Sequence, residues 1–182
     1  MEIKNKIRCL DGLIMMHHDE VLIRVMNHND FTIMVKWLND SRVLEFYEES
    51  PASLEKVTKK YGPRIEGRHY VKPCVVEYKN KPVGYIQYYE IQENDLKIYG
   101  YPQNHDIYGI DQFIGEVELW GKGIGTSMIF LMLNYLNNHK NASRVVLEVK
   151  NHNMRAISCY KKCGFRKIKD INDDTSLMKW EK

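Results

Sequence analysis

The chain has 182 residues, 43% hydrophobic and 28% charged with only 5 prolines, the make-up of one ordinary globular domain; a disordered, repetitive or collagen-like chain is excluded. Its 27 basic and 24 acidic side chains are interspersed and leave a net charge of +3, so no basic stripe advertises nucleic acid as a partner. Cysteines 9, 74, 159 and 163 form no secreted disulfide pattern, Leu13 to Met16 is too short a run for a signal peptide, and no stretch approaches the ~20 apolar residues that span a bilayer, so the expectation is a cytoplasmic protein that engages no membrane.

Residues 1–20 carry Lys4, Lys6, Arg8, His17 and His18 without sustained periodicity and read as an N-terminal extension, with the domain proper over 21–182. Val21 to Met26 predicts the first strand, and Asn29 or Asp30 can cap a helix through Phe31, Met34, Val35 and Leu38. Two further helices are expected over Ser41 to Tyr47 and Ser53 to Tyr61. Cys74 to Tyr78 and Val83 to Tyr89, joined by Lys79-Asn80-Lys81-Pro82, predict a hairpin, followed by the polar segment Gln92 to Asp106 and a strand over Tyr108 to Ile114. A glycine-rich turn then opens a helix to about Asn138. Arg144 to Val149 is a strand, Asn153 to Lys162 a helix, and Gly164 to Lys169 with Leu177 to Trp180 a closing strand pair. That order makes a mixed α/β sheet with helices packed on it.

The turn is Trp120-Gly121-Lys122-Gly123-Ile124-Gly125-Thr126, and the helix after it carries Met128, Ile129, Leu131, Met132, Tyr135 and Leu136. Glycines let a backbone approach an anion closely, and the unpaired N–H groups of a first helical turn point outward as donors, so the turn reads as a phosphate cradle. Its place after a strand of an open sheet agrees with that reading; the alternative from the turn alone is a tight connection. Lys122 is followed by Gly123 rather than Ser or Thr, which departs from the Walker A pattern, and the dinucleotide fingerprint is not met.

Taken with Asn153-Met154-Arg155-Ala156-Ile157-Ser158-Cys159-Tyr160-Lys161-Lys162-Cys163-Gly164-Phe165, the turn resembles the GNAT superfamily of acyl-CoA-dependent N-acetyltransferases: the first element its pyrophosphate loop, the second its last helix and turn. Tyr108 to Gly115, Lys36 to Asp40 and Pro82 to Gln87 resemble more narrowly the aminoglycoside 6′-N-acetyltransferases, whose members confer antibiotic resistance. The resemblance covers roughly residues 21 to 180. It implies a single GNAT-like domain with a mixed, mostly antiparallel central sheet and helices on both faces. It further implies acetyl-CoA as cosubstrate without a metal, an aminoglycoside acceptor such as kanamycin, a monomer or weak homodimer, and direct transfer without a covalent enzyme intermediate. One position departs: where the superfamily loop has Gln or Arg, this chain has Trp120.

By that resemblance Lys122, Gly123, Ile124, Gly125, Thr126, Asn153, Ala156 and Tyr160 hold the cosubstrate. Asp111 is the proton acceptor beside the amine and Tyr160 the acid beside the departing sulfur, while Asp111, Glu148, Tyr47, Gln87 and Tyr89 meet the acceptor. A carboxylate that titrates near ~3.9 facing an ammonium near ~10.4 leaves about 9 kcal/mol against direct proton transfer, so burial must narrow the gap or a water must carry the proton. Without the family, an Asp in a strand is usually a paired or solvated carboxylate and a Tyr before Lys-Lys is usually packing. Phe46 can add to the floor, and Glu48, Glu49, Asp106 and Glu116 are further acids available to a polycation. Cys159 with Cys163 lacks a second pair at zinc spacing and reads as packing, His17-His18 has no partner motif, and Met128, Met132 and Met154 read as core filler. The alternatives are acetylation of a polyamine or a protein N-terminus, and a CoA-binding sensor without turnover.

Overall fold

A computed structural model describes residues 8–10, 13–18, 20–47, 51–101 and 106–182. In chain order the elements are β1 (Arg8–Leu10), β2 (Leu13–His18), β3 (Val21–Val25), α1 (Phe31–Trp37), α2 (Ser41–Leu44), α3 (Leu54–Ile65), β4 (Lys72–Tyr78), β5 (Lys81–Glu90), α4 (Glu93–Tyr99), β6 (Ile107–Ile114), α5 (Ile124–His139), β7 (Arg144–Lys150), α6 (Met154–Lys162), β8 (Arg166–Asn172) and β9 (Thr175–Glu181), with 3-10 turns at His28–Asp30 and Val117–Leu119. The strands form one 9-stranded sheet in the order β1-β2-β3-β4-β5-β6-β7-β9-β8. Every neighbouring pair is antiparallel except β6 with β7.

Strand periodicity of two gives the sheet two apolar faces. On one, Val75 and Tyr85 pack with Met34, Trp37 and Tyr61 of α1 and α3. On the other, Val76, Ile86 and Ile110 pack with Ile129, Met132 and Leu136 of α5. Helices therefore cover both faces, as expected. The β4–β5 hairpin turns on Lys79 and Asn80, at φ 53° and 61°, the two left-handed residues a tight hairpin requires; Pro82 lies inside β5, opposite a bulge at Val76/Glu77.

Several boundaries differ from the sequence reading. The first cap is Asn27, which closes a reciprocal capping box with Asp30 ahead of α1. Asp30 holds the N-cap position of α1, as read, but makes no side-chain capping bond there, since its carboxylate is engaged by the Arg24 guanidinium at 2.7 and 2.8 Å. The second helix stops at Leu44, and the third runs past Tyr61 through Pro63 to Ile65. The polar segment after β5 contains α4. Two strands precede Val21 and extend the sheet edge through β2–β3 pairing, so part of the N-terminal extension is sheet. Met128 and Met132 are core residues as read, whereas Met154 is 64% exposed.

Only Ile107, Tyr108 and Gly109 of β6 pair with β7, opposite Arg144, Val145 and Val146. Beyond that point β6 stays bonded to β5 and β7 to β9, and the two parallel strands part. The sheet is split at its middle, and α5, entering from the end of β6, starts at the mouth of the split.

Candidate active site

A cleft of about 620 Å³ occupies the split, lined by Asp111 to Ile114 from β6, Glu148 to Lys150 from β7, the turn into α5 and one side of α6. Because the strands part, side chains from both sheet faces reach one space. Gln87 stands opposite Asp111 in the β5–β6 register, and these two lie on the α1/α3 face. Gln112, one residue on, points to the other face, where it meets Tyr160. Counting two residues on from the Gly109–Val146 pair, Asp111 and Glu148 stand level across the split on the same face.

Asp111 is held by a chain of donors. Gln87 Nε2 donates to its Oδ2 at 2.6 Å and Tyr89 Oη to its Oδ1 at 3.4 Å. The Gln87 amide is oriented in turn, since its Oε1 accepts from Arg64 at 2.7 Å and from Tyr85 Oη at 2.6 Å; only the amide nitrogen is left to face Asp111. Tyr89 reaches the carboxylate by lying across Gly109, where a Cβ would stand 2.5 Å from its ring. Burial pushes Asp111 above the ordinary carboxylate range, against the pull of Gln87, Tyr89, Arg64 and Lys60. Lys60, an amine lining the same cleft, is pushed down to about 8, chiefly by burial and next by the Arg64 charge, with Asp111 opposing. The pocket thus moves a carboxylate up and an amine down, which narrows the barrier to proton transfer between them.

On the opposite face Tyr160 is buried, and its Oη accepts from Gln112 Nε2 at 2.6 Å. Burial raises its pKa, so at neutral pH it keeps a proton that it can donate into the cleft. Gln112 Oε1, in the cleft lining, is buried with no hydrogen-bond partner among the described residues.

The turn before α5 has the geometry of an anion cradle. Gly121 and Gly123 sit at φ 78° and 84°, which other residues adopt only with strain. Gly123 is the N-cap of α5, so the N–H groups of Ile124, Gly125 and Thr126 have no helical acceptor. Gly125 lines the cleft beside these amides, and a Cβ there would be in ordinary contact with Cys159 Sγ at 3.6 Å. Trp120 turns its Nε1 inward to the carbonyl of Ile114 at 2.8 Å. Asn153 caps α6 by accepting from the Ala156 amide.

Of the residues expected in the site, Asp111, Glu148, Tyr47, Gln87, Gly123, Ile124, Gly125, Thr126, Asn153, Ala156 and Tyr160 line this one cleft. Tyr89 stands behind Asp111 rather than in the lining. Lys122 is exposed and outside the lining. Among the further acids, Glu116 is already engaged by Lys36 Nζ at 2.6 Å and Trp37 Nε1 at 2.9 Å, Asp106 lies away from the cleft, and Glu48 and Glu49 lie outside the described residues. Phe46 joins the lining. The sequence reading missed Gln112, Arg64, Lys60 and Tyr99, whose Oη donates to Glu148 Oε1 at 2.8 Å. No group of three or more His, Cys, Asp or Glu side chains arranged to hold a metal occurs among the described residues, and no described helix is long and apolar enough to cross a membrane.

Similarity to known proteins agrees with this geometry. The chain is 28% identical over 152 residues to the aminoglycoside N(6′)-acetyltransferase type 1 of Klebsiella pneumoniae, covering 82% of this chain and 76% of that one. Its fold matches the crystal structure of aminoglycoside acetyltransferase AAC(6′)-Ib in complex with coenzyme A and kanamycin, with a TM-score of 0.75 at 25% identity over 89% of this chain and 95% of that one. Spermidine N-acetyltransferase from Vibrio cholerae, in complex with CoA and spermine, shares the fold at a TM-score of 0.75 and 21% identity, over 90% and 96% of the two chains. Residues 27–173 match the acetyltransferase (GNAT) domain family, and with most of its length inside that match the chain belongs to the GNAT acetyltransferases.

Proposed function

We propose that this enzyme is an aminoglycoside 6′-N-acetyltransferase that moves the acetyl group of acetyl-CoA directly to the 6′-amine of the antibiotic, conferring resistance. The observation that carries the reading is the split between β6 and β7, where a raised carboxylate, a protonated tyrosine and a glycine cradle meet in one cleft. The similarity to the Klebsiella pneumoniae enzyme supports the acceptor.

Acetyl-CoA, when bound, supplies the acyl group and a sulfur leaving group. The residues fit it: the free amides of Ile124, Gly125 and Thr126 suit a pyrophosphate, and the unpartnered Gln112 Oε1 awaits a donor from a ligand. Asp111 anchors the acceptor's ammonium and accepts its proton, directly or through water, and Gln87 and Tyr89 fix the carboxylate for that task. Glu148, held by Tyr99, binds a second ammonium of the same polycation. Tyr160 donates its proton to the departing sulfur, and Gln112 keeps the hydroxyl oriented. The amine held at Asp111 attacks the thioester carbonyl itself, so transfer is direct.

Polyamines are the second reading, favoured by the likeness to the spermidine enzyme's fold and by a paired-carboxylate cleft that suits any polyamine. Bacteria producing the chain test between them. Tolerance of kanamycin that disappears with Asp111→Asn supports the antibiotic as substrate; unchanged susceptibility, with spermine or spermidine consumed by the pure enzyme, points to the polyamine.

A further inference from the structure

Among the described residues no acid is paired with the charge of Arg155. It lies in the first turn of α6, and it lines the cleft together with Ser158, Cys159 and Lys162, which follow at helical spacing on the same side of α6. Its guanidinium carbon is 3.6 Å from the centre of the Trp120 ring and 5.6 Å from that of Phe46. No carboxylate bonds or pairs with it among the described residues, and Glu45 acts on it only at a distance. Two other cations of the lining are paired, Arg42 with Asp40 and Glu118 and Lys150 with Asp174. The two rings partly desolvate the guanidinium and lower its pKa, with Glu45 opposing from a distance, while the side chain stays exposed to the cleft.

The Trp120 indole is fixed by its bond to Ile114, so its face is a rigid platform. Stacking on that face uses the flat of the guanidinium and leaves its N–H edge free, the arrangement that suits bidentate bonding to a phosphate. Trp120 also stands where the superfamily loop has Gln or Arg, and its one donor is spent on the Ile114 carbonyl. We infer that Arg155, held flat on Trp120, is a phosphate ligand for the CoA cosubstrate, replacing from α6 a contact that the loop itself does not make. This rests on acetyl-CoA being the cosubstrate. The phosphate is either the pyrophosphate or the ribose phosphate, and truncated cofactors separate the two.

Calorimetric titration of CoA, dephospho-CoA and pantetheine into the wild type, Arg155→Ala, Arg155→Lys and Trp120→Leu tests it, with melting curves as the check on folding. The expected result is a loss of CoA affinity of about tenfold or more in Arg155→Ala, unchanged pantetheine binding, and little recovery in Arg155→Lys, which keeps charge but not the planar stack. Trp120→Leu loses a similar factor, and combining it with Arg155→Ala adds little further, because the two act as one unit. A dephospho-CoA loss equal to that for CoA assigns the pyrophosphate; a loss for CoA alone assigns the ribose phosphate. Unchanged CoA binding in Arg155→Ala, or equal losses for CoA and pantetheine, overturns the inference while leaving the cosubstrate reading intact. A wild type that binds no CoA overturns both.

Discussion

Asp111 sits where burial and hydrogen bonding pull in opposite directions, and burial wins. Its proton is therefore held more tightly in the folded than in the unfolded chain. Between the two pKa values the native state binds more protons, so stability falls as pH rises through that window. Asp111→Asn should raise the melting temperature at pH 7, with the gain vanishing below about pH 4, where the unfolded carboxyl is protonated as well; equal melting at both pH values would contradict this. The same substitution should cut kcat/KM by about a hundredfold or more and remove an acidic limb that lies above the ordinary carboxylate range in the wild type. Tyr160→Phe should lower kcat by about a hundredfold with KM little changed; a higher KM alone would count against an acid role. The glycine turn was legible from residue type and local spacing, whereas Asp111 and Tyr160 were singled out by the resemblance to the acetyltransferase family. Gln112 and Tyr99 were not, since their partners lie 48 and 49 residues away and only the folded sheet brings them together.

At the scale of elements, what matters is how neighbouring segments leave room for one another. Gly125 lines the cleft at the start of α5, where branched bulk stands beside the free amides, and Gly125→Val should weaken acetyl-CoA binding about tenfold or more, measured by direct titration; unchanged affinity would remove the cradle assignment. Gly109 leaves room for Tyr89. Gly109→Val should displace that ring from Asp111 and cost about 1–3 kcal/mol in stability, read as a lower denaturant midpoint together with a shifted acidic limb of the rate profile. A midpoint and profile like the wild type's would show that the ring is not held there. The β4–β5 hairpin was readable because long β-branched and aromatic runs flank a turn. α4 was hidden because it is short, buries only Leu96 and has no side-chain cap at Gln92. Its one local mark is Gly100, left-handed at φ 78°, which closes the helix and could have flagged it. Asp30 is the N-cap residue of α1 as read, while the capping box at Asn27 was missed because it closes a separate 3-10 turn one step ahead of the helix.

Across the whole molecule, the single parallel pairing in an otherwise antiparallel sheet is the structural source of activity in this account. The split at that seam brings Asp111 and Glu148 from one face and α5 and α6 from the other into one cleft, and the proposal assigns the acceptor to the first and the cosubstrate to the second. Composition could not reveal this, because a net charge of +3 says nothing about where two acids stand level across a gap. The order of strands and helices, by contrast, was largely readable, and with it the position of the cradle at the end of β6. The most direct test is thiol release from acetyl-CoA with kanamycin, tobramycin and paromomycin in parallel, the last carrying a hydroxyl in place of the 6′-amine. Rapid release with the first two and little with paromomycin is the predicted result; equal release with all three, or none with any, would contradict the assignment of a 6′-amine as acceptor.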